Sequence, residues 1–166
     1  MASMIIYCSK YGSTKAYAEK IAKDMGWEVR SYKNLKMNEL KEAEALVLAS
    51  NVRIGKMGLK GWSKSHADII KPKLKAAICV GGASADDQDY YKEVIEKNLD
   101  FLDLKKEQVF GLGGRQFISE YKGFDAFLFK MLDKMVKDSK EKKSMLENKD
   151  HINMKDVDAI VEYLKK

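Results

Sequence analysis

The chain of 166 residues has few of the residues that build disulfides and metal sites, and it has no apolar run long enough for a membrane span. It contains two cysteines and two histidines, with no CxxC pair and no cysteine–histidine cluster of metal-binding spacing. No apolar run approaches the ~20 residues that a bilayer-spanning helix needs, and the N-terminus lacks the charged and then apolar layout of a signal peptide. We therefore expect a cytoplasmic protein without a metal site.

Acidic residues are also in the minority. The 31 lysines and arginines outnumber the 25 aspartates and glutamates, which gives a formal net charge of +6. This excess favours anionic partners such as a phosphorylated cofactor, a carboxylated substrate or a lipid surface, although a merely lysine-rich soluble surface has the same composition. Nucleic acid is not among the partners that we expect.

The apolar residues are numerous enough for a full core. Because 45% of the chain is hydrophobic, a single domain over residues 1–166 can bury its core without disulfides or metals. Residues 1–3 precede a second methionine and are left out of the fold prediction as a possible cloning remnant. No internal repeat or low-complexity linker divides the chain.

Short apolar runs alternate with helical patterns along the sequence. The runs predict strands at 4–8, 28–32, 45–49, 76–80 and 108–110. Strands that are apolar throughout, with helices between them, indicate a parallel sheet covered on both faces. Right-handed crossovers then favour an α/β fold with a doubly wound five-stranded sheet of order 2-1-3-4-5 in three α/β/α layers. The only proline, Pro72, is expected to end a helix through 62–70.

The segment 116–150 is predicted to be an insertion that adds a helix, about 124–136, between the last strand and the last helix, 154–164. The spacing of its apolar stripe is typical of a helix packed on a domain. Alternatively, with lysines nearby, the stripe could lie on a membrane surface or cover a hydrophobic, anionic substrate. The charged stretch 137–149 is expected to be a solvated connector. The stripe consists of Phe124, Phe127, Leu128, Met131, Leu132 and Met135.

Three loops follow strands at the edge where such a sheet binds ligands, namely 9–14, 50–57 and 81–87. The first loop, Ser9-Lys-Tyr-Gly-Ser-Thr14, places three hydroxyl groups and a glycine at the start of a helix. Unpaired N–H groups and the positive end of the helix dipole favour an anion there, so the loop predicts a phosphate site. Ordinary capping of the helix by Ser13 or Thr14 is the alternative.

Other phosphate-binding motifs are absent. The chain has no GxxxxGK[ST] sequence and no GxGxxG after the first strand, and although Gly111-Leu-Gly113 begins such a pattern, position 116 is glutamine. A phospho-receiver domain shares the strand order but needs acidic residues where this chain has Ser9-Lys10 and, after the third strand, Ser50-Asn51.

The pattern Ser9-x-x-Gly12-x-Thr14 resembles the FMN phosphate loop of the flavodoxin family, and the resemblance extends over nearly the whole chain. It implies one non-covalent FMN whose ring lies between the loops 50–57 and 81–87. Within the family, residues 51–57 and the helix 124–136 are similar to the group that includes quinone-dependent protoporphyrinogen dehydrogenases. The cofactor-binding residues that the resemblance implies are Ser9, Lys10, Tyr11, Gly12, Ser13, Thr14, Asn51, Val52, Arg53, Ile54, Gly55, Gly81, Gly82, Ala83 and Asp86.

This chain also departs from the electron-carrying members of the family. Carrier flavodoxins are acidic and usually stack aromatic residues on the flavin, whereas this chain is basic, has Ile54 in its second loop and has no aromatic residue in 81–87. Stacking would then come from Tyr90, Trp62 or an aliphatic side chain.

The basic charge favours two-electron oxidation or reduction of a small organic substrate, which the resemblance suggests to be protoporphyrinogen-like, with a quinone as acceptor. A one-electron carrier between protein partners is the alternative. No side chain stands out as an acid or base, and Arg53, Lys56 and Arg115 are the candidates for binding a substrate carboxylate. Peripheral contact with the inner face of the membrane is a further expectation.

Overall fold

The computed structural model describes residues 2–116, 122–135 and 148–166. Its main sheet has five parallel core strands, β1 (Met4–Cys8), β2 (Glu28–Ser31), β3 (Leu46–Arg53), β5 (Leu74–Gly81) and β6 (Val109–Gly113). Their order is β2-β1-β3-β5-β6, and the two-residue β4 (Lys56–Met57) pairs antiparallel with β3. Counted over the core strands alone, this is the predicted order 2-1-3-4-5.

Helices connect the strands and cover both faces of the sheet, as expected for a three-layer fold. Short 3-10 turns follow some of them, and β7 (Arg115–Gln116) pairs antiparallel with β8 (Lys149–Asp150) in a second small sheet. The helices are α1 (Ser13–Met25), α2 (Met37–Glu42), α3 (Lys60–Ser65), α4 (Ala67–Ile70), α5 (Gln88–Leu99), α6 (Phe124–Met135) and α7 (Asp158–Lys165). No helix in the described ranges is long and apolar enough to cross a bilayer.

The core strands are buried on both faces, which explains why they are apolar throughout. Ile5, Val47 and Ile78 pack with residues of α1 and α7 on one face of the sheet. Their neighbours in sequence, including Ile6 and Leu48, pack with residues of α2, α4 and α5 on the other face. Because successive side chains of a strand point to opposite faces, each strand supplies apolar residues to two separate clusters.

Two predicted elements differ in the structure. The expected helix through 62–70 is divided at His66 into α3 and α4, although Pro72 does lie in the 3-10 turn that ends it. The expected loop 50–57 is a β-hairpin instead, because β3 continues to Arg53 and β4 begins at Lys56. The two turn residues, Ile54 and Gly55, have φ values of 51° and 72°, as in the type I′ turns that favour hairpins.

Helix α6 lies between the last core strand and α7, as predicted. Its apolar stripe is not packed on the domain along its whole length, however, since Phe124, Phe127, Met131 and Met135 are each 41–68% exposed. The predicted connector 137–149 falls mostly outside the described residues, and of it only Lys149 lies in a described element, β8.

The outer edge of the sheet, β6, is covered by a side chain of α5. The Gln88 amide donates to the Gly111 carbonyl oxygen and accepts from the Gly111 N–H, each at 2.9 Å. Gly111 also has to be glycine, because a Cβ there would lie 2.0 Å from a ring carbon of Tyr91. Helix α5 is therefore fitted closely to this strand.

Candidate cofactor site

The loop between β1 and α1 leaves the start of the helix available to a ligand. Gly12 is the N-cap of α1 with φ at 97°, and no side chain caps the helix. The alternative of ordinary capping by Ser13 or Thr14 therefore does not apply. The Gly12 N–H donates to the Ser9 hydroxyl oxygen at 3.1 Å, which holds the turn, and the Thr14 side chain is only 1% exposed at the base of the loop. Such an uncapped helix start is suited to an anion.

The loop is tied to the chain that follows β6. The Arg115 N–H donates to the Ser13 hydroxyl oxygen at 3.3 Å, and the Gly114 N–H donates to the Gly81 carbonyl oxygen at 2.6 Å. These contacts bring a fourth segment, 114–116, to the ligand edge of the sheet. Sequence reasoning placed Arg115 there only as a candidate substrate residue and did not identify Gly114 or Gln116.

These segments together surround a cleft with about 570 Å³ of space, part of it open to solvent. Most of the predicted cofactor residues meet here. The residues that line the cleft are Ser9, Lys10, Tyr11, Ser13, Thr14, Asn51, Val52, Arg53, Val80, Gly81, Gly82, Gly114, Arg115 and Gln116.

Other predicted residues do not line this cleft. Ile54 and Lys56, together with Arg53, line a neighbouring groove beside α6, which also contains Met57, Phe124 and Leu128. Asp86 lies in a different groove, against β6 and α7. Gly55 and Ala83 use their carbonyl oxygens within the fold, where they accept from the Asn98 amide and the Tyr91 hydroxyl.

The two aromatic candidates for stacking, Tyr90 and Trp62, do not line the cleft. The Trp62 ring is 4.9 Å from that of His66 and packs against the core on the α5 face of the sheet. The Tyr90 ring is in edge contact with Tyr91, at 5.1 Å between centroids. Among the residues that the structure places around the cleft, Tyr11 is the aromatic one, and it belongs to the phosphate loop rather than to a ring-flanking loop.

The structure adds a further residue that the sequence did not indicate, Asp125 in the first turn of α6. Its side chain is fully buried, and its carboxylate lies 2.6 Å from the Lys10 ammonium. The Tyr11 hydroxyl and the Arg53 guanidinium both donate hydrogen bonds to the same carboxylate. One signal could have indicated it: a carboxylate in an apolar helical turn, in a chain whose first two ligand loops contain lysine and arginine but no acidic residue.

The electrostatics of Asp125 follow from these partners. Burial by itself would raise the pKa of the Asp125 carboxyl, but hydrogen bonds from Lys10 and Tyr11 and the charge of Arg53 outweigh it and lower that pKa. Asp125 is therefore a carboxylate at neutral pH. It joins the phosphate loop, the β3–β4 hairpin and α6.

Neither cysteine is suited to thiolate chemistry. Cys79 is fully buried, which raises the pKa of its thiol to about 12, and burial also raises that of Cys8 despite nearby positive charge. Both therefore stay protonated at neutral pH.

The donors around the cleft fit a group that has a phosphate and a hydrogen-bonding ring. The α1 start, the Ser9 and Thr14 hydroxyls and the cations suit the phosphate. On the ring side, the buried Asn51 side-chain oxygen has no hydrogen-bond partner within the described chain. Since buried polar atoms are nearly always satisfied, an unpaired oxygen in a residue that lines the cleft is consistent with a ligand that donates a hydrogen bond there. FMN has both features.

Several flavodoxins are among the solved structures similar to this chain. One from the domain Archaea is 26% identical, with a TM-score of 0.42, and the match covers 58% of this chain and 74% of that chain. A flavodoxin from Streptococcus pneumoniae is 18% identical, with a TM-score of 0.44 and coverage of 60% and 70%. The flavodoxin of Megasphaera elsdenii is 15% identical, with a TM-score of 0.42 and coverage of 67% and 82%.

No curated protein matches the sequence. The family model of the flavodoxin domain, in contrast, matches residues 4–143, from the first strand to beyond α6. That match includes all three predicted ligand loops. The chain therefore belongs to the flavodoxin family, and FMN is its cofactor.

Proposed function

We propose that this protein is an FMN-dependent oxidoreductase that takes two electrons from a small organic substrate and passes them to a quinone as electron acceptor. Bound FMN supplies the redox chemistry, and the protein supplies binding, orientation and electrostatics. The observation that carries the proposal is the positive lining of the cleft, to which Lys10, Arg53 and Arg115 all contribute.

The phosphate of FMN is assigned to the loop before α1. The Ser9 and Thr14 hydroxyl groups and the uncapped N–H groups of the helix would donate to its oxygens, while Gly12 gives the backbone its left-handed turn. The ring is assigned to the side of the cleft formed by Asn51, Val52 and the backbone at 81–82. Arg53 and Arg115 also line the cleft, although neither belongs to the phosphate loop.

The cations are what separate the proposed enzyme from a carrier. Positive side chains at the cleft favour an additional negative charge on a group bound in it, by up to roughly 2 kcal/mol for one charge ~7 Å away at an effective dielectric of ~20, before solvent screening. Negative surroundings, as in acidic carriers, have the opposite effect. A site of this kind favours full reduction in one two-electron step.

The substrate is assigned to the groove beside α6. Ile54, Met57, Phe124 and Leu128 make the groove apolar, while Arg53 and Lys56 provide positive charge at its edge. Apolar walls with cations at the rim suit a flat, apolar molecule that carries carboxylates. This supports a protoporphyrinogen-like substrate, in agreement with the resemblance of the 51–57 segment to the quinone-dependent dehydrogenases.

The exposed side of α6 suits contact with a membrane that contains the quinone. Phe124, Phe127 and Met131 are exposed on one side of the helix, and the exposed Lys130 lies near this apolar surface. Interfacial helices combine an apolar face with lysines in this way. We therefore propose that the protein is cytoplasmic and binds peripherally to the inner face of the membrane through α6.

A one-electron carrier remains the second candidate, and Asp125 is the observation that favours it. Its buried carboxylate neutralises part of the charge of Lys10 and Arg53, which weakens the electrostatic argument above. The two candidates predict different behaviour of the bound cofactor during reduction.

Stepwise anaerobic reduction of the FMN-loaded protein, followed by absorption, tests the proposal. For the oxidoreductase we expect the oxidised spectrum to convert directly to the fully reduced one with a single set of isosbestic points. A third spectral form that accumulates near the midpoint and absorbs at longer wavelength would indicate the carrier and overturn the proposal.

The substrate is tested by turnover of protoporphyrinogen with menadione as acceptor. We expect Lys56→Gln to raise KM several-fold without lowering kcat, because Lys56 would bind a carboxylate that does not react. Lys64→Gln, a neutral change of the same size on exposed α3, should leave both constants unchanged. Absence of turnover in the unmodified protein would rule out this substrate class. It would not change what the reduction experiment shows about two-electron transfer.

A further inference from the structure

Asp125 has a position that the proposed reaction does not explain. Its carboxylate is fully buried at the start of α6 and binds one cation from each of two cofactor loops, Lys10 and Arg53, together with the Tyr11 hydroxyl. Sequence separations of 72 residues from Arg53 and 114 residues from Tyr11 make these contacts a product of the fold, not of local geometry.

The same two cations face the cofactor cleft. Lys10 and Arg53 both line the cleft, and their side chains are 43% and 38% exposed although the carboxylate between them is fully buried. An anion that enters the cleft therefore meets cations that already have a negative partner. Its attraction to Lys10 and Arg53 is reduced by the charge of Asp125.

Asp125 attaches the start of helix α6 to two of the cofactor loops. Among the α6 side chains that the structure describes, Asp125 is the one that is buried, and the others are exposed or partly exposed. Opening of the Asp125 cluster removes this buried contact from the start of the helix. The helix can therefore respond to a change at Lys10 and Arg53.

We propose that Asp125 is an internal counter-ion of the cofactor cleft, which competes with the phosphate of FMN for Lys10 and Arg53 and so links the attachment of α6 to occupancy of the site. By thermodynamic reciprocity, an anion that weakens the Asp125 contacts loosens α6, and a loosened α6 binds the anion more tightly. The inference concerns the FMN site and does not depend on the redox reaction proposed above.

The first test compares the affinities of FMN and riboflavin, which lacks the phosphate, by quenching of flavin fluorescence. For Asp125→Asn we expect FMN to bind about three- to tenfold more tightly at low salt, with the gain shrinking as salt rises. Riboflavin affinity should change by less than about twofold, because the neutral ligand does not compete for the cations. Glu162→Gln, which removes an equal charge at an exposed position of α7, should change neither affinity.

The second test needs no variant. Hydrogen exchange of the α6 amides is measured in the unmodified protein, alone and with riboflavin, FMN or inorganic phosphate. We expect FMN and phosphate to lower the protection of α6 relative to riboflavin. The competition is refuted if FMN raises that protection, or if Asp125→Asn binds FMN no more tightly than the unmodified protein does. An equal gain for riboflavin would likewise refute it, since the effect would not depend on the phosphate.

Discussion

Thr14 is the most deeply placed hydroxyl side chain of the phosphate loop. Its 1% exposure and its position in the first turn of α1 mean that a replacement cannot be compensated by water. We expect Thr14→Val, which keeps the shape and removes the hydroxyl, to weaken FMN binding about tenfold or more, since a hydrogen bond to a charged group contributes roughly 1.5–3 kcal/mol. Titration of the apoprotein with FMN measures this loss of affinity.

Thr14→Ser is the control for this prediction, because it keeps the hydroxyl and loses a methyl group. Its affinity for FMN should stay near that of the unmodified protein. If the valine and serine variants bind FMN equally well, Thr14 does not contact the phosphate and the assignment of the loop needs revision.

Ile54 has an unfavourable backbone conformation for its residue type. A β-branched residue with φ at 51° is rare, and the side chain is 60% exposed, so packing offsets little of the cost. We expect Ile54→Asn to stabilise the protein by about 1 kcal/mol, because it creates the Asn-Gly pair that type I′ hairpins prefer. Urea unfolding measures the change.

Ile54→Val retains the β-branch and should give no gain in the same urea experiment. A loss of stability in the asparagine variant would mean that the exposed isoleucine side chain contributes more than the turn conformation costs.

Single residues also mark the limit of what the sequence could predict. Ser9, Gly12 and Thr14 could be predicted to form a phosphate loop because the loop, its glycine and the following helix are contiguous in the chain. Asp125 was not, because its partners Lys10 and Arg53 come together with it only through the tertiary fold. Local patterns predict which loops reach the ligand edge but not which distant side chain neutralises them.

At the level of secondary structure, the contact between β6 and α5 tolerates no added atom. We expect Gly111→Ala to lower the free energy of unfolding by about 2–3 kcal/mol, because its Cβ would overlap the Tyr91 ring and force a shift of the helix. Gly61→Ala is a matched control at an exposed position of α3, where a Cβ meets nothing within 4 Å. This substitution should stabilise the helix by about 0.5–1 kcal/mol. Similar losses of unfolding free energy in both variants would mean that overlap with the Tyr91 ring is not the cause.

The attachment of α6 should depend on pH through Asp125. Its pKa is lowered in the folded protein, so its stabilising contribution is fully present above the usual aspartate value of about 3.9 and is lost as the pH falls through the folded-state value. In urea unfolding from pH 7 downwards, we expect the stability difference between the unmodified protein and Asp125→Asn to remain constant down to about pH 4 and then to disappear. A difference that persists at lower pH would mean that the carboxylate charge is not responsible.

Elements were predicted well where one property decided them. Strands β1, β3 and β5 were found because burial on both faces makes them apolar throughout. The hairpin after β3 was predicted as a loop, because Ile54 is a residue type that turns of this kind disfavour. The exposure of the α6 stripe could not be predicted either, since its spacing is the same whether the helix is covered or open.

For the whole molecule, we propose that the chain is one cooperative domain. Its only two tryptophans report on opposite faces of the sheet, with Trp27 packed on the α1 and α7 side and Trp62 on the other. In the variants Trp27→Phe and Trp62→Phe, we expect urea unfolding followed by the remaining tryptophan to give the same midpoint, equal to that from far-UV circular dichroism.

Separate midpoints for the two tryptophans would mean that the two faces unfold independently. Coincidence is expected because the core strands contribute side chains to both clusters, so neither cluster can be lost while the sheet remains. The same sharing explains why the strand order was predictable, since strands buried on both faces require helical crossovers and these follow one handedness.

The paired contacts of Gln88 with Gly111 also affect the tendency of the protein to aggregate at high concentration. One amide side chain offers a donor and an acceptor to β6, just as the peptide groups of a further strand would. A second molecule that approaches this edge finds the middle of the strand already engaged, and adding a strand there would first require breaking both bonds. A glutamine of α5 thus hinders the growth of this sheet into a fibril.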